Sequence, residues 1–224
     1  MIYLCSDFHL IQADKETRQT YVNQDAIDSI FTWPTLTEDD TVIFLGDLVD
    51  DTITPDINSP EFTMIKNRLL PAWMNTYFIR GNNDTLPKVF YNKLGFRHVK
   101  FAHMIKANDK DILLSHTSVD LTRTAADYST LRYDQAIDYN IHGHIHRKDT
   151  DPDTILYYHP CDHNINLCTK DLRQYRLTPI TEIDLEKESY RNRNFINASE
   201  KPGMSRYIQN EAYNVCDEFA WEKS

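Results

Sequence analysis

The chain has 224 residues, the size of one domain, with 41% hydrophobic and 12% aromatic side chains, enough for a single sizeable core. Its 34 acidic and 24 basic residues leave a formal charge of −10; this makes it a poor candidate for passive binding along a nucleic-acid backbone, which needs clustered Lys and Arg, but does not exclude a nucleotide, because divalent cations make a site locally positive. Four scattered cysteines (Cys5, Cys161, Cys168, Cys216) form no disulfide framework, no apolar run reaches membrane-span length, and no signal peptide is evident, so a soluble cytoplasmic protein is expected.

Ile2-Tyr3-Leu4-Cys5 reads as a short buried strand ending at Ser6-Asp7-Phe8-His9. Thr17 to Trp33 has apolar side chains at helical spacing, and Pro34 closes it. Thr41 to Leu45 is β-branched and apolar, a second buried strand running into Gly46-Asp47-Leu48-Val49-Asp50. Asp51 to Pro60 is a turn-rich loop, and Phe62 to Trp73 is predicted as a second helix, bent or ended near Pro71. A third strand, Thr76 to Ile79, runs into Gly81-Asn82-Asn83-Asp84, and a third helix, Leu86 to Leu94, stops at Gly95.

Val99 to Lys106 and Asp111 to His116 read as a hairpin turning at Ala107-Asn108-Asp109-Lys110. Thr117 to Tyr128 is polar and irregular, a candidate rim or lid, and Thr130 to Tyr139 reads as helical. Tyr139 to His142 leads into Gly143-His144-Ile145-His146. Ile155 to His159 and Asn164 to Cys168 are two further strands, and Pro179 to Ile183 is a last extended piece. The domain is expected to span residues 1–185; residues 186–224 are a polar C-terminal extension closing on Phe219-Ala220-Trp221.

Early alternation of strand and helix points to an α/β sheet with helices on its faces, and the later hairpins to a mixed sheet or a sandwich. Ligands gather at the carboxyl ends of strands in such folds. Every acidic or histidine motif here follows a strand. In Gly143-His144-Ile145-His146, two imidazoles two residues apart on extended backbone point to the same side, and imidazole is the commonest metal-ligating side chain. Each motif alone has an ordinary reading: a wet strand face, a surface turn at Asp7 and His9, strand-end caps at Asp47 and Asp50, a core histidine at His116. Together those readings need several coincidences.

The candidates are Asp7, His9, Asp47, Asn82, His116, His144 and His146: two carboxylates, one amide oxygen and four imidazoles. Seven ligands with one bridging carboxylate suit two ions better than one. Nitrogen and oxygen ligation without thiolate suits manganese, iron, zinc or nickel rather than calcium. Paired ions about 3.5–4 Å apart activate a water and clamp phosphoryl oxygens.

The set resembles the calcineurin-like metallophosphoesterase superfamily, whose blocks are D-x-H, G-D-x-x-D, G-N-[H/x]-[D/E], H and G-H-x-H. All five occur in that order within residues 1–146, and Asn164 to Asp184 is similar to the closing strands of small bacterial and phage members. The resemblance implies a four-layered α/β/β/α sandwich of two mixed sheets. It implies Asp7, His9, Asp47 and His146 on one metal, and Asp47, Asn82, His116 and His144 on the other, with Asp47 as the bridge. It also implies phosphate-ester hydrolysis by a metal-bridging hydroxide, with two divalent ions, manganese foremost. Asp47, Asn82, Asn83 and His116 are the catalytic candidates.

One position departs from the pattern. Most phosphomonoesterases and nucleases of the superfamily have a general-acid histidine where this chain has Asn83. A carboxamide has no proton to give near neutral pH, and losing a positioned acid costs about 10²–10⁴ in rate, most for poor leaving groups. A phosphodiesterase on small substrates, such as cyclic nucleotides, is therefore expected. The alternatives are a phosphomonoesterase or protein phosphatase, or a non-catalytic scaffold. Asp50, which would orient the missing histidine, is expected to bond Asn83 or the surroundings of His9. Arg80 is the candidate phosphate contact, and His98, His103 or His142 could replace the acid. His159, Cys161, His163 and Cys168 match no common zinc spacing.

Overall fold

A computed structural model describes residues 1–14, 17, 19–49, 55–116, 137–143, 164–167 and 175–188. The chain opens with β1 (Ile2–Cys5), a ribbon of β2 (Ile11–Ala13) and β3 (Thr20–Val22), then α1 (Gln24–Phe31). The helix expected from Thr17 therefore begins seven residues later. Thr20, Tyr21 and Val22 favour extended backbone and pair antiparallel with β2, Ile11 opposite Val22. Asn23 then caps α1: its Oδ1 accepts from Ala26 N at 3.4 Å, and its Nδ2 donates to the Phe8 carbonyl at 2.8 Å.

Next come β4 (Thr41–Phe44), α2 (Pro60–Leu69), a 3₁₀ turn over Leu70–Asn75, β5 (Thr76–Ile79), α3 (Lys88–Lys93) and β6 (His98–Lys100). Pro71 lacks the N–H that would continue α2, so the expected single helix to Trp73 becomes a helix and a tighter turn. Gly95 follows α3 at φ 106°, the left-handed stop that its sequence position suggests.

The run Val99 to Lys106 is not one strand. Phe101 divides it, leaving β6 in the first sheet while β7 (Ala102–Ala107) starts the second. A hairpin then joins β7 to β8 (Lys110–Ser115) as expected, with Asn108 at φ 52° and Asp109 at φ 58°. These paired left-handed residues match the twist of the strands. β9 (Tyr139–His142) lies parallel to β8, and β10 (Asn164–Asn166) parallel to β9. β11 (Thr178–Pro179) adds antiparallel to β1. Ile180–Glu182 is a 3₁₀ turn, so the last extended piece is shorter than expected, and α4 (Leu185–Glu188) follows.

The sheets run β11-β1-β4-β5-β6 and β10-β9-β8-β7. Side chains alternate faces along each strand, and two cores result. Leu4, Ile43, Leu45 and Ile79 meet Ile112, Leu114, Ile141 and Ile165 between the sheets. On the other face of the first sheet, Cys5, Val42, Phe44 and Phe78 meet Ala26, Ile30, Phe62, Ile65, Leu69 and Tyr91 of the helices. Rings thread that second core: Phe8 to Phe44 at 4.8 Å, Phe44 to Phe78 at 5.4 Å, and Phe78 to Tyr91 at 4.2 Å between centroids. The architecture is thus the mixed α/β one expected. Tyr139, placed in a helix by the sequence pattern, begins β9; the rest of that helix to residue 136, the candidate lid, the strand at 155–159 and the chain beyond 188 lie outside the described residues. No described helix is long and apolar enough to cross a membrane.

Candidate metal centre

β1, β4 and β5 are parallel neighbours, so their following turns open at one edge. The first two turns keep pairing after the strands end: Asp7 N donates to the Gly46 carbonyl at 2.9 Å, His9 N to Asp47 at 2.9 Å, and Leu10 N to Leu48 at 2.7 Å. This path needs left-handed backbone at Asp7 (φ 56°), His9 (φ 39°), Gly46 (φ 86°) and Asp47 (φ 58°). Only close approach explains two further glycines. A Cβ on Gly81 would lie 2.2 Å from Asp47 Oδ1, and one on Gly143 would lie 2.2 Å from Asp7 Oδ2 and 1.9 Å from Ser6 Oγ.

The second sheet delivers His116 from the end of β8. Its Nδ1 lies 2.7 Å from the Leu45 carbonyl, which sets Nδ1 as the N–H donor and leaves Nε2 facing the cluster. Nε2 stands 3.0 Å from Asn82 Oδ1 and 3.4 Å from Asp47 Oδ2. Asp7, Asp47 and His116 are all buried, with ligand atoms within 4.8 Å of one another. His9 Nε2 approaches Asp47 Oδ2 at 3.5 Å. Five of the seven expected ligands therefore meet around Asp47. The other two, His144 and His146, directly follow Gly143 but lie outside the described residues, as does Asp50.

Burial pushes the Asp47 carboxyl up, but the His116 hydrogen bond and charge outweigh it, and the net shift is downward. Burial pushes His116 down, yet its bond and attraction to Asp47, with Asp7 adding, raise it to about 9. A cation held by Asp47 and His116 would compete with the proton that this attraction favours on the imidazole. Two carboxylates, a presented imidazole nitrogen and an amide oxygen fit divalent cations of the borderline class.

Asn83 occupies the departure position. Its backbone N donates to Asp47 Oδ1 at 3.1 Å and its Nδ2 to Asp47 Oδ2 at 2.7 Å. Asp84 does more than the sequence reading gave it. Its buried carboxylate accepts from Asp47 N at 2.6 Å, Gly81 N at 2.7 Å and Leu48 N at 3.2 Å, tying the turn after β4 to the turn after β5. Burial, then repulsion from Asp47, push it up to about 7 against those N–H groups. The acidic last position of the G-N-x-[D/E] block was the available signal. Arg80 donates through Nε and Nη2 to the Asp84 carbonyl at 3.1 and 2.8 Å, and through Nη2 to Leu86 at 2.6 Å, so these bonds hold the same turn. Of the replacement acids considered, His142 is buried with Nδ1 2.8 Å from the Gly143 carbonyl. His98 and His103 stack on Tyr77 at 4.6 and 4.4 Å, and neither joins the cluster.

Residues 1–106 match the family model described as calcineurin-like phosphoesterase, a span that includes Asp7, His9, Asp47, Asn82 and Asn83. Among solved structures, a protein of unknown function from Aquifex aeolicus is 22% identical, with 82% of this chain and 97% of that chain covered and a TM-score of 0.55; this likeness is one of fold. An archaeal phosphodiesterase is 18% identical over 76% of this chain and 87% of that one, with a TM-score of 0.36. A single mutant of Vps29 from Entamoeba histolytica is 15% identical over 67% of each chain, with a TM-score of 0.34. The last two superpose too loosely to support an inference about this chain. No curated protein sequence matches it.

Proposed function

We propose that this chain, whose residues 1–106 match the calcineurin-like phosphoesterase model, is a phosphodiesterase that works with two divalent cations on small phosphodiesters, cyclic nucleotides among them. The observation carrying this reading is Asn83, whose two N–H groups are directed to the two oxygens of Asp47. An amide so placed holds the bridging carboxylate and has no proton for a departing alkoxide. Monoesters with poor leaving groups lose most from that, and diesters with better or strained leaving groups lose least.

Cations bound by Asp7, His9, Asp47, Asn82 and His116, with His144 and His146, would supply an activated water and neutralise phosphoryl charge. Manganese is the pair we favour, with iron, zinc or nickel as alternatives. Asp47, reached by His9, Asn83 and His116, would serve both ions. The Leu45 carbonyl orients His116, and Asp84 fixes the turns that present Asp47 and Asn82. On this reading the protein is cytoplasmic, and its partners are small phosphate esters or nucleotides, not long nucleic acid or membrane. The test compares an aryl phosphate diester with the matching monoester at saturating Mn²⁺, with Asp47→Ala as the blank. The diester should turn over faster; a faster monoester refutes the proposal.

A further inference from the structure

An apolar groove of about 800 Å³ lies between α1 and α2. Val22, Ile27, Phe31, Pro60 and Met64 line it. Phe31 is 62% and Val22 40% exposed, large apolar groups left to solvent beside a formed cavity. Arg68 stands at one end, with Nη2 donating to the Phe31 carbonyl at 3.3 Å, and Glu61 lies in the first turn of α2.

The chain continues for 36 residues past Glu188 (189–224). Within them, Met204, Ile208, Val215 and Phe219 fall within about 60° of one another at 100° per residue, with Tyr207 and Ala212 flanking. Pro202-Gly203 precedes the stripe. Arg206 lies near its start, Glu211 at its middle, and Asp217 and Glu218 at its end. That order of charge complements α2, acidic at its first turn and basic (Lys66, Arg68) at its last. Reach is sufficient. The chain touches α1 at Tyr175, whose carbonyl accepts from Ser29 Oγ at 2.6 Å, thirteen residues before Glu188. The 15 residues 189–203 then span up to about 50 Å.

We propose that residues 204–219 of this same chain dock in the α1–α2 groove as an amphipathic helix, Met204 toward Pro60 and Phe219 toward Phe31. A 16-residue helix with few alanines is marginal alone in water, so the helix and the burial of its stripe and of Phe31 would form together. The inference stands independently of the phosphoesterase reading.

The test uses the full chain with the photoreactive p-benzoylphenylalanine at position 31, an exposed site whose replacement leaves the core intact. A second protein carries the probe at position 89, where Val89 is 58% exposed on α3. Irradiation followed by peptide mapping should join position 31 to residues 204–221 within one chain, at a yield independent of protein concentration. Val215→Asp should cut that yield at least fivefold. Equal capture from position 89, covalent dimers whose yield grows with concentration, or no capture of residues 204–221 from position 31 would each overturn the proposal.

Discussion

Replacing Asp84 by Ala tests whether the cradle is held by a buried carboxylate. The variant leaves the N–H groups of Asp47, Leu48 and Gly81 without their acceptor, at about 1–3 kcal/mol each. The pH dependence is the sharper readout. Because the folded-state value is raised to about 7 from the ordinary 3.8, the folded protein binds this proton more tightly than the unfolded chain. The resulting stability is fully present below 3.8 and lost as pH rises through 7. Alanine has no such proton. At pH 5.5, therefore, wild type regains about 2 kcal/mol over its value at pH 8, and the variant does not. For a chain this size that widens the gap in Tm by about 4–8 °C on going from pH 8 to 5.5. Differential scanning calorimetry of both proteins in chelator, at the two pH values, measures it. A gap that is constant or narrows would mean that Asp84 is ionised throughout and that burial is offset in some other way.

Asn83→His puts an acid beside Asp47, and the ratio of monoester to diester turnover should rise by about tenfold or more, toward the 10²–10⁴ that a well-positioned general acid supplies; steady-state rates on the two aryl esters decide it. Gly143→Ala drives a methyl into Ser6 Oγ and Asp7 Oδ2, so calorimetric Mn²⁺ affinity should fall by about tenfold or more. Gly95→Ala, strained at φ 106° but outside the cluster, should lower Tm and leave metal affinity unchanged. Burial, then Lys100 and His98, push His103 down to about 4. The unfolded chain takes that proton first, so stability present above pH 6.5 drains away as pH falls toward 4. Partial exposure discounts the loss to about 1 kcal/mol. His103→Phe keeps the stack on Tyr77 and should flatten this part of the pH–stability curve, measured by urea unfolding.

The strands that carry the site were legible because buried parallel strands are short, β-branched and bounded by turns, and Thr41–Phe44 and Thr76–Ile79 are all of these. Their ends were legible too, since a polar side chain at the close of such a run has few structural uses. Three features were hidden. Val22 fits a helical stripe and a strand equally well, and only pairing with Ile11 decides between them. The break at Phe101 reflects a change of sheet, which no local pattern records. Asp84 looks like any acid in a turn until three amides from two strand ends are seen to converge on it.

Asp7, His9 and Asp47 hold the left-handed conformation that side chains with a Cβ adopt at a penalty of about 1–2 kcal/mol each, and that glycine adopts freely. Part of this is offset where Asp47 accepts from both Asn83 N–H groups and lies beside His9 and His116, and where Asp7 accepts from Ser6 Oγ. Glycine at all three places would relax the backbone but leave the Asn83 and Ser6 donors without these acceptors and strip the cluster of its ligand groups. An aspartate, a histidine and an aspartate gathered at such backbone angles at one sheet edge mark where the chain stores conformational strain beside the groups it presents.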